Sequence, residues 1–204
     1  MDNLVYERKY AAMGKLVAGV DEVGRGPLAG PVVCAAVIMP TDEIIDGITD
    51  SKKLSEKKRE CFAEMIKEKA IAYKIFSIDE KTIDKINILN AVKTCMEGAV
   101  NNLKTFPDAV IVDGLDLGLN LNAGMVEYVV KGDLKSYTVG CASIIAKVYR
   151  DNLMKEYAKT FPEYGFEKHK GYGTKEHIDK IREIGPCEIH RRTFIKNFWE
   201  ERAK

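Results

Sequence analysis

Two adjacent acids, Asp21 and Glu22, end a short apolar run that begins at Leu16, and a glycine-flanked arginine follows them. A third acid, Asp113, ends another apolar run and is itself followed by glycine. Carboxylate oxygens are the ligands that Mg²⁺ prefers. A bound divalent cation would turn such a group of acids into a site that attracts phosphate, because the ion is then the largest local charge. Such a group of acids would suit metal-assisted chemistry at a phosphate.

The acids must be positioned by strands. The apolar runs at 16–20, 32–39 and 107–114 are short, rich in valine and bounded by glycine or proline, as strands are. Ligands gather beyond strand ends in an α/β sheet, so Asp113 can lie beside Asp21 if their strands are neighbours. Adjacent residues of a regular strand point to opposite faces. A shared metal site therefore requires the first strand to end or distort at Glu22.

Two other interpretations of the opening segment stay open at this point. Residues 24–29 match G-x-G-x-x-G/A, a dinucleotide-binding pattern, but that motif needs a helix after the glycines. Gly30, Pro31 and a β-branched run follow instead, which argues against it. The plainer alternative is a tight turn with two solvated acids, and for Asp113 it is a turn-forming Asp-Gly pair.

The rest of the chain alternates helices and strands. Ser55 is a plausible N-cap for a helix whose apolar face includes Phe62 and Ile66. Apolar spacing predicts one helix over 83–104 and a long helix over 138–160, and Thr174 is placed to cap a helix over 175–184. Residues 71–78 and 125–130 are predicted strands. The loop at 115–124 indicates no role.

Composition limits the class of protein. The chain has 204 residues, of which 46% are hydrophobic and 31% are charged, with a net charge of +1. These values predict one globular domain. No apolar run approaches 18 residues and the N-terminus has no signal-peptide pattern, so we expect a cytoplasmic protein with no membrane span. Five scattered cysteines predict reduced thiols. Near-neutral net charge means that nucleic-acid binding would depend on local patches or metal.

Several strings of the chain resemble ribonuclease HII, a type 2 ribonuclease H. They are the opening segment at 19–31, D-S-K-K-L-S at 50–55, K-G-D at 131–133, A-S-I-I-A-K-V-Y-R-D at 142–151 and H-K-G-Y-G-T at 169–174. The resemblance implies an α/β fold, with a ribonuclease H-like mixed sheet flanked by helices. It also implies a single catalytic domain over 1–204, with a helical C-terminal segment at about 162–204.

The same resemblance implies an endonuclease that hydrolyses the RNA strand of RNA–DNA hybrids. It would cut 5′ of ribonucleotides, including single ribonucleotides embedded in duplex DNA, and leave 5′-phosphate and 3′-hydroxyl ends. Two divalent cations, Mg²⁺ or Mn²⁺, would be the cofactors, and the enzyme would act as a monomer. The implied catalytic and metal ligands are Asp21, Glu22, Asp113 and Asp151. The implied substrate-binding residues are Gly24, Arg25, Gly26, Ser51, Lys52, Ser143 and Tyr172.

Three alternatives remain beside this expectation. A ribonuclease HIII is disfavoured, because that family usually carries an additional N-terminal domain and only about 20 residues precede the first acid. A nucleic-acid-binding module without catalysis would not need the acids. A zinc site built from Cys187, His190, His169 and His177 has a spacing that fits no common zinc pattern. The histidines are expected instead to form hydrogen bonds at surface positions or to hold the C-terminal segment.

Overall fold

One mixed sheet forms the centre of the molecule. The computed structural model describes residues 3–48, 51 and 54–199. The strands are β1 Val17–Val23, β2 Val32–Ile38, β3 Ala72–Ile78, β4 Ala109–Asp113 and β5 Met125–Val129. Their order in the sheet is β3-β2-β1-β4-β5. The pairs β1–β2 and β2–β3 are antiparallel, whereas β1–β4 and β4–β5 are parallel.

Helices cover the sheet and form the end of the described chain. They are α1 Val5–Ala11, α2 Glu56–Lys69, α3 Glu80–Ile86, α4 Ile88–Asn101, α5 Gly132–Lys135, α6 Tyr137–Thr160, α7 Phe166–His169, α8 Lys175–Ile184 and α9 Arg192–Ile195. The predicted caps form, since Ser55 accepts a hydrogen bond from Lys58 N and Thr174 accepts one from His177 N. Within the described ranges, no helix combines the length and apolar character needed to cross a membrane.

The two faces of the sheet pack against different helices. Val33, Ala35 and Val37 of β2 belong to a core cluster with residues of α2 and α6. The alternate residues of the same strand, Val32 and Cys34 among them, pack with the buried stripe of α4. Side chains of a strand alternate between faces, so one fully buried strand supplies both layers. The predicted fold class, a mixed sheet flanked by helices with a helical C-terminal region, is confirmed.

The single helix predicted over 83–104 is wrong in one respect, because two helices occupy this range. Asn87 separates α3 from α4 and has a φ of 65°. Its side chain accepts a hydrogen bond of 3.0 Å from Asn90 N and so begins the second helix. Asparagine tolerates this left-handed φ and is a preferred N-cap. Apolar spacing continues across the break, which is why periodicity did not reveal it.

The prediction that the first strand ends or distorts at its acids is also wrong. Strand β1 continues through both acids, with Asp21 opposite Ala35 and Glu22 opposite Cys34 of β2. On its other side β1 pairs with β4 only as far as Val20. The last three residues of β1 therefore have an open edge that β4, which ends at Asp113, does not pair with. Side chains from either face can reach the space beside that edge.

A close helix–strand contact places α6 over this edge. A Cβ atom on Gly19 would overlap the backbone of Thr138 and Val139, so only glycine allows the first turn of α6 to cross β1 so closely. Glu7 of α1 fixes the same turn, since its Oε1 accepts hydrogen bonds of 2.9 Å from Thr138 N and 2.6 Å from Ser136 Oγ. A carboxylate is favourable at a helix N-terminus. These contacts hold the first turn of α6 against β1, close to Asp21 and Glu22.

Candidate active site

A pocket of about 340 Å³ lies beside the open edge of β1. Acids and hydroxyl groups from separate elements meet there. Its lining residues are Asp21, Glu22, Val23, Ser51, Asp113, Asp133, Ser143, Lys147 and Tyr172. The structure thus brings together three of the four acids expected from the sequence, together with Ser51, Ser143 and Tyr172 of the expected substrate contacts.

The acids of this pocket affect one another's ionisation. Burial raises the pKa of Asp21 well above its ordinary value, and the charges of Glu22 and Asp113 raise it further. A hydrogen bond with Ser143 opposes this change. Burial also raises the pKa of Glu22, and the charge of Asp113 adds to the effect while Arg25 counteracts it. Burial and the mutual repulsion of these carboxylates thus both favour their neutral forms.

A second pocket, of about 360 Å³, lies on the other side of the acids. Glu22 and Asp113 line both pockets, so these two side chains form the wall between them. Arg25 also lines the second pocket, and its Nη1 lies 3.4 Å from Glu22 Oε1. The other walls are mainly apolar and include Leu115 and Leu117 of the 115–124 loop, for which the sequence indicated no role. A strand passing over the acids would have room on both sides.

Asp151, the fourth acid expected from the sequence, does not line either pocket. It is 5% exposed, and its Oδ1 lies 2.6 Å from Lys147 Nζ on the preceding turn of α6. Its Oδ2 lies 3.9 Å from Arg59 Nη2 of α2. Two cations therefore already neutralise this carboxylate. Its contact with the pocket is indirect, through Lys147.

Asp133 is the acid that sequence reasoning missed. It lies in α5 and lines the pocket with Asp21, Glu22 and Asp113. The turn before it is fixed against the site, because Gly132 N donates a hydrogen bond of 2.5 Å to Asp113 Oδ1. The available signal was the K-G-D string at 131–133, which the resemblance to ribonuclease HII already included.

The remaining expected substrate contacts surround the acids. Ser51 Oγ and Ser143 Oγ lie 3.1 Å apart, and Arg59 Nη1 donates a hydrogen bond of 3.1 Å to the Ser51 carbonyl. Lys52 lies outside the described residues. Gly26 lies next to the Tyr172 ring, since a Cβ atom built on this glycine would be 3.8 Å from the ring's Cε1. The Gly-Arg-Gly loop and the tyrosine thus form one surface at the pocket.

All three histidines lie in a hydrogen-bonded network behind this surface, and they are buried rather than at the surface. His177 Nδ1 lies 2.9 Å from the Tyr172 carbonyl, which can only accept, so this nitrogen carries the proton. Its Nε2 then accepts from His190 Nε2 at 3.0 Å. His190 Nδ1 accepts in turn from Cys187 N at 3.0 Å. His169 completes the group by stacking on His177 with ring centroids 4.4 Å apart. This chain of bonds requires neutral His177 and His190.

We expect this network to make the fold sensitive to acid. Burial lowers the pKa of His177 to about 4 and that of His190 to about 3, against an ordinary value of 6.5. At a pH below 6.5 and above these lowered values, the two histidines bind protons in the unfolded chain but not in the folded chain. The free energy of unfolding should therefore fall as the pH drops below about 6.5, by up to about 1.4 kcal/mol per pH unit for each histidine. Urea unfolding at pH 7, 6, 5 and 4 measures this slope.

The variant His190→Gln isolates the contribution of one histidine. Glutamine keeps a hydrogen-bonding group but does not titrate, so the variant should lose stability overall and show a shallower slope below pH 6.5. Carboxylates contribute equally to both proteins. Parallel curves for the two proteins would contradict the assignment of a neutral, buried His190.

The order of the strands and the placement of the acids define a ribonuclease H-like nuclease. Carboxylates from β1, β4 and α5 meet at one edge of a mixed sheet, where helix α6 crosses it. A family model for ribonuclease HII matches residues 18–201, and the chain belongs to that family. It is therefore a ribonuclease H endonuclease, acting on the RNA strand of RNA–DNA hybrids.

Curated relatives support the same assignment. The ribonuclease HII of Acetivibrio thermocellus is 52% identical over 200 residues, which cover 97% of this chain and 77% of that protein. That of Caldicellulosiruptor bescii is 54% identical over 187 residues, covering 90% of this chain and 88% of that protein. That of Clostridium perfringens is 56% identical over 186 residues, covering 90% and 68%.

Solved structures share the fold. The ribonuclease H2 of Pyrococcus horikoshii aligns with a TM-score of 0.75 and 29% identity, covering 87% of this chain and 93% of that one. A complex of PCNA with ribonuclease HII from Archaeoglobus fulgidus aligns with the same score and 27% identity, covering 91% and 97%. Bst-RNase HIII in complex with Mn²⁺ aligns with a TM-score of 0.66 at 19% identity, covering 91% and 67%, which shows a common fold alone.

Proposed function

We propose that this enzyme cuts 5′ of ribonucleotides, including a single ribonucleotide embedded in duplex DNA, and that the 340 Å³ pocket is where it does so. The observation that carries the proposal is the meeting of Asp21, Glu22, Asp113 and Asp133 in one pocket that Tyr172 also lines. Chemistry and ribonucleotide recognition would thus occur side by side. The fold of ribonuclease HIII is shared, but the match over 18–201 to the ribonuclease HII model favours the latter.

The four pocket acids are the proposed metal ligands, with Asp133 in place of Asp151. They supply only carboxylate oxygens, as Mg²⁺ and Mn²⁺ prefer, and burial together with the charges of Glu22 and Asp113 raises the pKa of Asp21. Among the described residues, no three acidic, histidine or cysteine side chains already converge as a metal centre. Binding therefore requires the carboxylates to turn toward shared ions. Two bound divalent cations would supply an activated water and stabilise the leaving oxygen.

Neighbouring side chains prepare the acids and the substrate. The Ser143 hydrogen bond favours the ionised form of Asp21, and Arg25 does the same for Glu22. Asp151 holds Lys147 at the wall of the pocket, where an ammonium group suits a phosphate of the substrate strand. In this proposal Asp151 is a positioning residue for Lys147.

The ribonucleotide is read by its 2′-hydroxyl, the group that distinguishes RNA from DNA. The amide N–H groups of Arg25 and Gly26 have no acceptor within the described part of the chain, so they are available to this hydroxyl or to the adjacent phosphate. Tyr172 is 42% exposed, and its ring lies beside Gly26, where it can pack on the sugar of the next nucleotide.

Tyr172→Ala should lower the preference for an RNA–DNA junction more than it lowers stability. The ring is half exposed, so its removal leaves the core intact, while a stacking contact is worth about 1–3 kcal/mol. We expect the ratio of kcat/KM for a single-ribonucleotide duplex to that for an all-RNA strand to fall about tenfold. Tyr172→Phe, which keeps the ring, is the control and should retain the ratio. Equal cleavage of both substrates by the wild-type enzyme would contradict this role.

One assay tests the proposed function as a whole. A labelled duplex with one ribonucleotide is incubated with the enzyme and Mg²⁺, Mn²⁺ or a chelator. We expect cleavage on the 5′ side of the ribonucleotide with either metal, none with the chelator, and products with 3′-hydroxyl and 5′-phosphate ends. Products with a 2′,3′-cyclic phosphate, or cleavage in the presence of the chelator, would contradict the proposal.

A further inference from the structure

Two arginines are fully buried beneath the Gly-Arg-Gly loop. Arg150 and Arg191 are both 0% exposed, and in the part of the chain that the structure describes neither forms an ion pair with a carboxylate. Burial lowers the pKa of Arg150 to about 10 and that of Arg191 to about 9, so both remain charged at neutral pH. Burying a charge without a counter-ion is costly unless hydrogen bonds satisfy it. The hydrogen-bond acceptors of the two guanidinium groups therefore indicate the role of these arginines.

The Arg191 guanidinium donates hydrogen bonds to carbonyl oxygens of the loop at residues 24–31. Its Nε and Nη2 donate to the Gly30 carbonyl at 2.9 and 2.8 Å. Its Nη2 also donates to the Gly24 carbonyl at 2.6 Å, and its Nη1 donates to the Arg25 carbonyl at 3.0 Å. One planar guanidinium therefore joins both ends of the loop and fixes the distance between them.

Arg150 joins the same loop to the segment that carries Tyr172. Its Nε donates to the Pro31 carbonyl at 3.0 Å and its Nη2 to the Ala29 carbonyl at 3.1 Å. Its Nη1 donates to the Lys170 carbonyl at 2.9 Å. The Arg150 Cζ also lies 6.0 Å from the centre of the Tyr172 ring. The loop and the tyrosine are thus connected through one side chain.

Two glycines, Gly24 in the loop and Gly171 beside it, allow the backbone to pack closely around these contacts. Gly24 has a φ of 96°, and a Cβ atom there would overlap the Arg150 side chain. Gly171 has a φ of 83°, and a Cβ atom there would lie 2.6 Å from the Ala29 carbonyl. Because the carbonyl oxygens are held from the inside of the protein, the N–H groups of Arg25 and Gly26 keep one orientation relative to the tyrosine.

We propose that Arg150 and Arg191 are positioning residues for substrate discrimination, because they hold the 24–31 loop and Tyr172 in the single geometry that reads a ribonucleotide followed by DNA. Neither arginine touches the substrate in this proposal. It rests on the proposed function of the site. A purely structural role for the arginines would lower stability and the fraction of active enzyme, and would leave the preference between two substrates unchanged.

The test compares lysine variants on two substrates. Arg191→Lys and Arg150→Lys keep the positive charge but lose the planar set of donors. We expect the ratio of kcat/KM for a single-ribonucleotide duplex to that for an all-RNA hybrid strand to fall about tenfold in each, as the loss of fixed hydrogen bonds implies. Arg182→Lys is the matched control, since Arg182 is exposed on α8, and it should keep the wild-type ratio. The ratio does not depend on how much enzyme is folded.

A second measurement covers variants that fold poorly. Arg191→Ala with added guanidinium chloride at millimolar concentration should recover part of the substrate ratio, whereas the same concentration of ammonium chloride should not. A wild-type ratio in both lysine variants would overturn the inference. If the wild-type enzyme itself fails to cut the single-ribonucleotide duplex, the proposed function fails instead, so the two failures are distinguishable.

Discussion

Asp21→Asn is expected to lower kcat by at least about 10³-fold, as the loss of a group that stabilises charge in the transition state does. The same variant should keep its melting temperature or raise it. Asp21 is buried beside Glu22 and Asp113, and removing one of three like charges relieves their repulsion. Single-turnover cleavage with saturating Mg²⁺ and a thermal melt without metal measure the two effects separately.

Opposite changes in activity and stability are the informative result for Asp21→Asn. A loss of activity with an equal loss of stability would indicate a residue that only supports the fold. Asp179→Asn is the control, because Asp179 is more than half exposed on α8 and pairs with Arg182 at the surface. That variant should match the wild-type enzyme in both measurements. Near-normal turnover by Asp21→Asn would remove this residue from the mechanism.

The second large effect distinguishes Asp151, the fourth ligand expected from the sequence, from Asp133, which lines the pocket in the structure. Asp133→Asn should lower kcat by at least about 10²-fold, since Asp133 lines the pocket with the other acids. Asp151→Asn should act mainly on KM, because its carboxylate binds Lys147 at 2.6 Å and only Lys147 reaches the pocket. Full kinetics of both variants on one substrate, at several Mn²⁺ concentrations, provide the comparison.

The dependence of activity on Mn²⁺ concentration shows which of the two acids is a metal ligand. Loss of a metal ligand should raise the Mn²⁺ concentration needed for half-maximal activity in Asp133→Asn, and Asp151→Asn should leave it near the wild-type value. The reverse order would show that the fourth ligand expected from the sequence is the true one. It would then require the ion pairs of Asp151 with Lys147 and Arg59 to break when metal binds.

Local sequence patterns predicted the sheet and most helices because apolar spacing reports burial directly. They did not reveal Asn87 as a helix break, since the apolar stripe continues on both sides of it. Nor did they reveal how Glu22 shares a pocket with Asp21. Glu22 can reach that pocket because the pairing of β1 with β4 ends at Val20. The end of this pairing is a property of the strand register and not of either strand alone.

In the candidate site too, some residues could be predicted from the local sequence, and others are placed there only by tertiary packing. Asp21, Glu22 and Asp113 end apolar runs and could be selected by position. Asp133 and Asp151 are both motif acids, and only the packing of α5 and α6 places the first at the pocket and the second against two cations. The carbonyl oxygens that surround Arg150 and Arg191 belong to residues distant in sequence, so no local pattern could indicate their role.

The position of bound Mn²⁺ would show whether the acids of the 340 Å³ pocket form a metal centre. Crystals of the wild-type enzyme grown with Mn²⁺ would be measured for anomalous scattering. We expect a peak within coordination distance of carboxylate oxygens of Asp21 and Asp113, with Glu22 or Asp133 as a further ligand. A map without a peak in this pocket, or with its peak at Asp151, would contradict it.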